Sequence, residues 1–231
     1  MMLAAAGGSL FGISLMDGKA GASVGVPMQI TILMTLLTLL PAAIMSVTPF
    51  LRISIVLHFL RQALGTQSTP SNQVLIGIAL FLTILVIQPV ALDMYHQGWE
   101  PMQKNQLTSE QAFDAGTKPL KTFLLRFARE KDVKLFVEMS HTPKPRNADD
   151  LSLRILIPAY ITSELKAGFQ IGAVLFLPFL IIDLVVASVT LSIGMVQLPP
   201  VMISAPFKIL LFVLADGWNL VLGSLMKGFY A

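Results

Sequence analysis

The chain reads as an all-α membrane protein built from kinked helical hairpins, and three observations predict this. Hydrophobic residues make up 55% of its 231 residues and charged residues only 13%, with a mean hydropathy of +0.74. Soluble domains carry about a quarter charged residues, so this chain could not cover itself with polar surface in water. The few charges are also segregated: none lies in 20–51, 62–92, 167–182 or 184–207, and most fall between Asp93 and Arg154. The uncharged stretches are rich in Leu, Ile, Val, Phe and Met and approach the roughly 20 residues a helix needs to cross a bilayer, which favours helix over strand.

Residues 1–27 are Gly/Ala-rich and read as a variable N-terminal tail. They lack the positive n-region and continuous apolar run of a signal peptide. A first apolar segment, Met28–Ile44, continues into Val47–Leu60, and a second covers Asn72–Leu92. Together, residues 28–92 predict one helical hairpin. Residues 93–154 predict a polar helical insert. Thr108-Ser109-Glu110 is a helix start, and Pro119 suits a first helical position. Leu120, Phe123, Leu124 and Phe127 make one apolar face. Glu130 and Lys134 can pair at i, i+4, and 141–150 reads as a loop. Residues 155–231 predict a second apolar hairpin, with segments Phe169–Ile193 and Val201–Leu222. Pro41, Pro49, Pro89, Pro178 and Pro206 are expected to kink or break their helices. Arg52, His58 and Arg61, with no acid among them, place the first connection in the cytoplasm and the insert outside.

Several chemistries lack their residues. There is no cysteine, hence no disulfide or thiolate site. Gly18-Lys19 is not a phosphate loop. His58, His96 and His141 have no metal spacing. The basic residues form no stripe interleaved with aromatics for nucleic acid. No cofactor or enzymatic activity is expected.

The informative residues are ionisable groups in apolar sequence. Asp183, Lys208 and Asp216 lie within apolar segments, and Arg52, Glu164 and Lys166 at segment edges. A charge in hydrocarbon costs roughly 3 to above 10 kcal/mol, so each needs a partner. Lys208 and Asp216 are about 12 Å apart along a helix, and Glu164 and Lys166 point to different sides. The partners must come from other helices or other subunits, and all six residues are candidate subunit-interface charges or members of a polar pathway, with snorkelling to the lipid interface open for Lys166. Gly168-Phe-Gln-Ile-Gly172 would let two helices approach closely. The turn Gly194–Pro200 joins the last two segments; by itself it reads first as a plain hairpin turn, while copies of it around an axis would form a soft apolar constriction from Met195, Val196, Gln197 and Leu198.

The runs Thr48–Ile53, Arg61–Gly77, Ile157–Gly172, Leu177–Ser188 and Pro206–Trp218, in this order, make the chain from about Thr31 onward resemble the FliP family of flagellar type III export proteins, with counterparts in virulence injectisomes. The resemblance implies several copies of a helical-hairpin subunit wound with the companion subunits FliQ and FliR into a closed cone. Unfolded export substrates would pass through this gate, in contact with FlhB and FlhA, in the bacterial inner membrane at the flagellar basal body. It supports interface roles for the charges named above. The family typically has a run of methionines at the constriction turn; here Met195, Val196 and Gln197 leave one. A proton-coupled membrane transporter, which Asp183 and Asp216 would permit, is the alternative reading.

Overall fold

In a computed structural model, residues 26–66, 68–141, 147, 150–195 and 199–230 are described. Most of the N-terminal tail expected over 1–27 therefore lies outside them. Two compact units divide the chain, Met1–Ala42 and Ala43–Ala231. The described part of the first is helix α1 (Val26–Ser46), which runs on to Ser46. Its side chains from Met28 to Ile44 are exposed or partly so. Thr31 and Thr35 donate their hydroxyls to the carbonyls of Pro27 and Thr31, at 2.8 and 2.7 Å. Turning each hydroxyl back onto its own helix satisfies it without water.

The second unit is all-helical among its described residues. Helices α2 (Phe50–Ala63) and α3 (Asn72–Met94) are followed by one π-helical turn (Tyr95–Trp99) and the short α4 (Glu100–Gln103). Helices α5 (Ser109–Phe127) and α6 (Glu130–Met139) form the polar insert, and α7 (Leu153–Ser192), α8 (Pro200–Leu214) and α9 (Gly217–Tyr230) complete the chain. Pro27–Ser46, Asn72–Gln103 and Leu153–Ser192 are long and apolar enough to cross a membrane, and α8 with α9 makes a fourth candidate bent by 65°. The chain is a multi-pass membrane protein by these lengths.

The core forms where α2 meets α7. Ile53, Val56, Leu57 and Leu60 of α2 are at most 1% exposed. Three pairings fix direction: Arg52 with Glu164, Ile55 with Gly168 and Phe59 with Gly172. The numbers rise together, so α2 runs parallel to α7. A Cβ at Gly172 would lie 2.6 Å from the Phe59 ring, and one at Gly168 would lie 3.1 Å from Ile55. The small-residue pair is thus the seat for two α2 side chains one helical turn apart.

Helix α5 starts where the sequence predicts a helix start. The Thr108 hydroxyl caps the Gln111 N–H at 3.3 Å, and the Gln111 side chain accepts from the Thr108 N–H at 3.1 Å. This reciprocal box satisfies two otherwise free donors. Phe123 and Leu124 are buried and Leu120 and Phe127 partly so, and Lys134 pairs with Glu130 at 2.7 Å.

The structure departs from the expected boundaries at four points. Pro119 lies inside α5, ten residues past its start. Pro41, Pro89, Pro178 and Pro206 also lie inside helices, and only Pro49 stands at a break, as the residue before α2. Each proline removes one donor, whereas a break in apolar surroundings would strand several backbone groups. The third segment begins at Leu153, so Glu164 and Lys166 lie well inside a 40-residue helix. The fourth segment is two helices, separated at Ala215 and Asp216, where Asp216 adopts a left-handed φ of 49°.

Candidate functional site

Helix α7 spans about 60 Å at 1.5 Å per residue, twice the thickness of a bilayer core. Its N-terminal part is the floor of the insert: Ile155, Leu156, Ala159 and Tyr160 are buried there. Its C-terminal part leaves that core and pairs antiparallel with α8. One continuous helix therefore joins the core beside the insert to the tip of an apolar hairpin.

The tip is built by a glycine. Gly194 has a φ of +79°, where residues with a Cβ are strained. Its N–H bonds the Leu191 carbonyl at 3.1 Å, and the Met195 N–H bonds the Thr190 carbonyl at 3.0 Å. This double bond pattern ends a helix by satisfying its last carbonyls. Met195 is 40% exposed. Val196, Gln197 and Leu198, the other three candidate constriction residues, lie outside the described residues.

Back from the tip, the hairpin brings Asp183 and Lys208 together. Lys208 Nζ lies 2.6 Å from Asp183 Oδ2, and Ser204 Oγ donates to Asp183 Oδ1 at 2.5 Å. Lys208 and Ser204 are buried at 1% and 0% exposure. The two charges are 25 positions apart on opposite arms, a separation that helical spacing within one segment cannot reveal. Arg52 and Glu164 likewise pair across α2 and α7, with Arg52 Nε 2.9 Å from Glu164 Oε2 and a second contact from Nη2 to Oε1. Phe229 of α9 lies 4.4 Å from the guanidinium and Phe127 of α5 5.4 Å. A flat cation over aromatic rings gains further attraction.

These four charges find partners inside one chain, so the reason for assigning them to subunit contacts, a missing partner, does not apply. Arg52 is also no longer a loop charge, which leaves His58 and Arg61 as the basic groups near the first connection. Lys166 is exposed. Asp216 is exposed at the corner between α8 and α9, where Asn219 Nδ2 donates to its carboxylate at 3.0 Å.

Two features of the insert are absent from the sequence reading. Asp132 of α6 accepts from the Ser163 hydroxyl at 2.6 Å and from Arg129 Nε at 2.9 Å, while Ser163 Oγ accepts the Arg129 backbone N–H at 2.9 Å. Burial pushes the Asp132 carboxyl up, but the Ser163 hydroxyl and the Arg129 guanidinium outweigh it and hold the group below the ordinary Asp range. Ser163 and Glu164 are neighbours, so adjacent α7 residues hold the insert and α2. The second feature is a backbone crossing: a Cβ at Gly98 would lie 2.7 Å from Gly116 Cα and from the Ala112 carbonyl. An irregular helical turn meeting a glycine gives no periodic signal. Among the described residues no group of three His, Asp or Glu side chains could hold a metal ion.

Around the hairpin the large apolar side chains face outward. Leu177, Ile181, Leu184 and Val185 of α7 and Phe207 and Leu214 of α8 are 55–78% exposed. Lipid or other protein must cover them.

The model of the FliP family matches residues 33–225. The chain is 48% identical over 213 residues to the flagellar biosynthetic protein FliP of Pectobacterium carotovorum subsp. carotovorum, covering 92% of this chain and 83% of the relative. It is 43% identical to that of Bacillus subtilis (strain 168), covering 94% and 98%. It is 41% identical to that of Borreliella burgdorferi, covering 92% and 85%.

Proposed function

The chain belongs to the FliP family, and from that membership we propose that it is a non-enzymatic subunit of the flagellar type III protein-export gate. Several copies, with the companion subunits FliQ and FliR, wind into a closed cone through which unfolded flagellar proteins leave. The cone sits in the bacterial inner membrane at the basal body and works with FlhB and FlhA. The observation that carries this reading, beside family membership, is the hairpin of α7 and α8. Its polar groups Asp183, Ser204 and Lys208 are satisfied internally while its outer faces are apolar and exposed. Such an arm is finished inside and unfinished outside, as a stave of an oligomeric wall is. The turns of the copies converge, and Met195, Val196, Gln197 and Leu198 form the constriction. Lys166 and Asp216, exposed among apolar segments, supply polar contacts between subunits. The domain order that follows is an N-terminal tail (1–27), a first apolar hairpin (28–92), an outward polar insert (93–154) and a second apolar hairpin (155–231).

The alternative, a proton-coupled transporter, would draw on Asp183 and Asp216; Asp183 is occupied by Lys208 and Ser204, which leaves it only Asp216, exposed at the corner between α8 and α9. The test is co-expression with FliQ and FliR followed by native mass measurement. A defined complex containing several copies is expected. A chain that stays monomeric beside its companions, and alone supports proton-driven uptake in vesicles, would overturn the gate reading.

A further inference from the structure

The face where α3 meets α5 carries a cleft of about 380 Å³ lined by Val90, Asp93, Gln97, Lys118, Phe123 and Arg126, among others. We propose that this cleft binds the headgroup of a zwitterionic phospholipid, with the lipid phosphate on Lys118 and Arg126 and its ammonium on Asp93. The proposal does not depend on the export-gate reading.

Three observations converge on it. The first is height. Helix α3 is a 23-residue apolar helix ending at Met94, so Asp93 and Gln97 stand where a spanning helix passes from hydrocarbon to headgroups. Tyr95 and Trp99, on the same turn, are 46% and 54% exposed. Exposed Tyr and Trp at the end of a span mark the lipid interface, where a ring body sits in apolar surroundings and its polar edge in headgroups.

The second is charge. The cleft holds both signs on facing elements: an acid on α3, two cations on α5. Lys118 and Arg126 are two helical turns apart, about 12 Å, with Thr122 between them on the same face of α5. A phosphate alone would meet Asp93 as a repulsive neighbour. A phosphate followed by a primary ammonium meets each charge with its opposite. Arg and Lys offer donors to phosphate oxygens, and the carboxylate accepts from an ammonium. The chemistry therefore points to an ethanolamine-type headgroup over an anionic one.

The third is the floor. Val90 and Phe123 give the cleft an apolar base, suited to the glycerol and first methylenes of a lipid.

The experiment uses the full-length chain extracted in mild detergent. Native mass spectra are recorded after titration with phosphatidylethanolamine, phosphatidylglycerol or phosphatidylcholine, for wild type, Lys118→Ala with Arg126→Ala, Asp93→Asn, and Thr122→Trp, which fills the cleft from an exposed position. Wild type should retain phosphatidylethanolamine through collisional activation that strips the other two. The double variant and Thr122→Trp should each lower that retention at least tenfold. Asp93→Asn should remove the preference over phosphatidylglycerol while keeping binding. Equal retention in wild type and in both cleft variants would overturn the site. Competition by soluble phosphoethanolamine at equal concentration would show that a free headgroup, not a lipid, is the ligand, and would overturn the lipid assignment. A Gln97→Cys chain that cross-links to a second copy in lipid-replete membranes would show that protein covers the cleft, and would overturn it too.

Discussion

Arg52 and Glu164, 112 positions apart in sequence, face each other through two contacts at the crossing of α2 and α7, and Glu164 is 0% exposed. Two-point contact between a guanidinium and a carboxylate fixes orientation as well as distance. It sets the register that seats Ile55 and Phe59 on Gly168 and Gly172.

Removing one member strands a buried charge, which costs about 3–5 kcal/mol. Arg52→Ala or Glu164→Ala should therefore lower the thermal stability of the detergent-solubilised chain strongly. Replacing both with apolar residues of similar size, Arg52→Met with Glu164→Leu, should recover most of the loss, because an apolar pair needs no desolvation. Melting followed by tryptophan fluorescence reads this. A double variant as unstable as either single one would show that the pair contributes more than mutual charge neutralisation.

The α2–α7 seat gives a second expectation. A Cβ at Gly172 collides with the Phe59 ring at 2.6 Å, and overpacking of this kind costs about 1–3 kcal/mol. Gly172→Ala should destabilise the chain, and adding Phe59→Leu should restore part of the loss. Gly77→Ala, with nothing within 4 Å, is the control and should be neutral or stabilising. Equal melting of all three variants would place the seat elsewhere.

Asp132 links the insert to acidity. Its carboxyl is held below the ordinary Asp range with Ser163 and Arg129 as partners. A depressed folded pKa stabilises the fold above the unfolded value, and the stabilisation disappears as pH falls through the folded value. The attachment of α6 to α7 should thus be fully present at neutral pH and be lost below about pH 4, the ordinary range of the group. The protection of α6 amides, taken relative to their intrinsic exchange rate at each pH, should fall on acidification in wild type. Asp132→Asn should exchange faster at neutral pH and change less on acidification. A variant with the wild-type acid response would show that another group controls the docking.

Much of this architecture is legible in the sequence because apolar length, capping and helical spacing are local. The Thr108 start, the Leu120–Phe127 face and the Glu130–Lys134 pair all follow from residues within seven positions of one another. The partner of Arg52 does not, because 112 residues separate it from Glu164. Nor does the partner of Lys208, because only the hairpin's folding back places Asp183 beside it. The 65° bend at Asp216 has one local signal, the turn dipeptide Asp216-Gly217, which the apolar residues around it mask. The prolines are legible only in part: Pro119 reads as a first helical position but lies inside α5, and at Pro178, where a kink or a break is expected, α7 does not end.

The tip turn carries a prediction for the closed gate. Gly194 supplies the left-handed conformation that ends α7, and Met195 follows it half exposed. Met195→Gly with Val196→Gly should leave assembly intact and raise ion leakage through the closed complex, since an apolar ring blocks ions by excluding water. Salt sensitivity of cells and single-channel conductance measure it. Unchanged leakage in an assembled complex would place the seal in a companion subunit.

The last expectation separates two roles for Asp183 and Lys208. As contacts between subunits, they would matter only once copies meet. As an intrachain clasp, with Lys208 Nζ 2.6 Å from Asp183 Oδ2 and Ser204 holding the other oxygen, they must act before assembly. Asp183→Ala leaves Lys208, 1% exposed, as an unpaired charge between α7 and α8, and the arms should separate in the isolated chain. Limited proteolysis and cysteine cross-linking between positions 179 and 212, where the Phe179 and Phe212 rings meet tilted at 6.4 Å between centroids, report the hairpin directly. Loss of the cross-link in the unassembled Asp183→Ala chain is expected. Exchanging the charges, Asp183→Lys with Lys208→Asp, should restore part of it, because a hairpin pair tolerates reversal as long as both members stay on facing arms. An intact cross-link in the unassembled single variant, together with a failure to form the complex, would return both residues to the subunit interface.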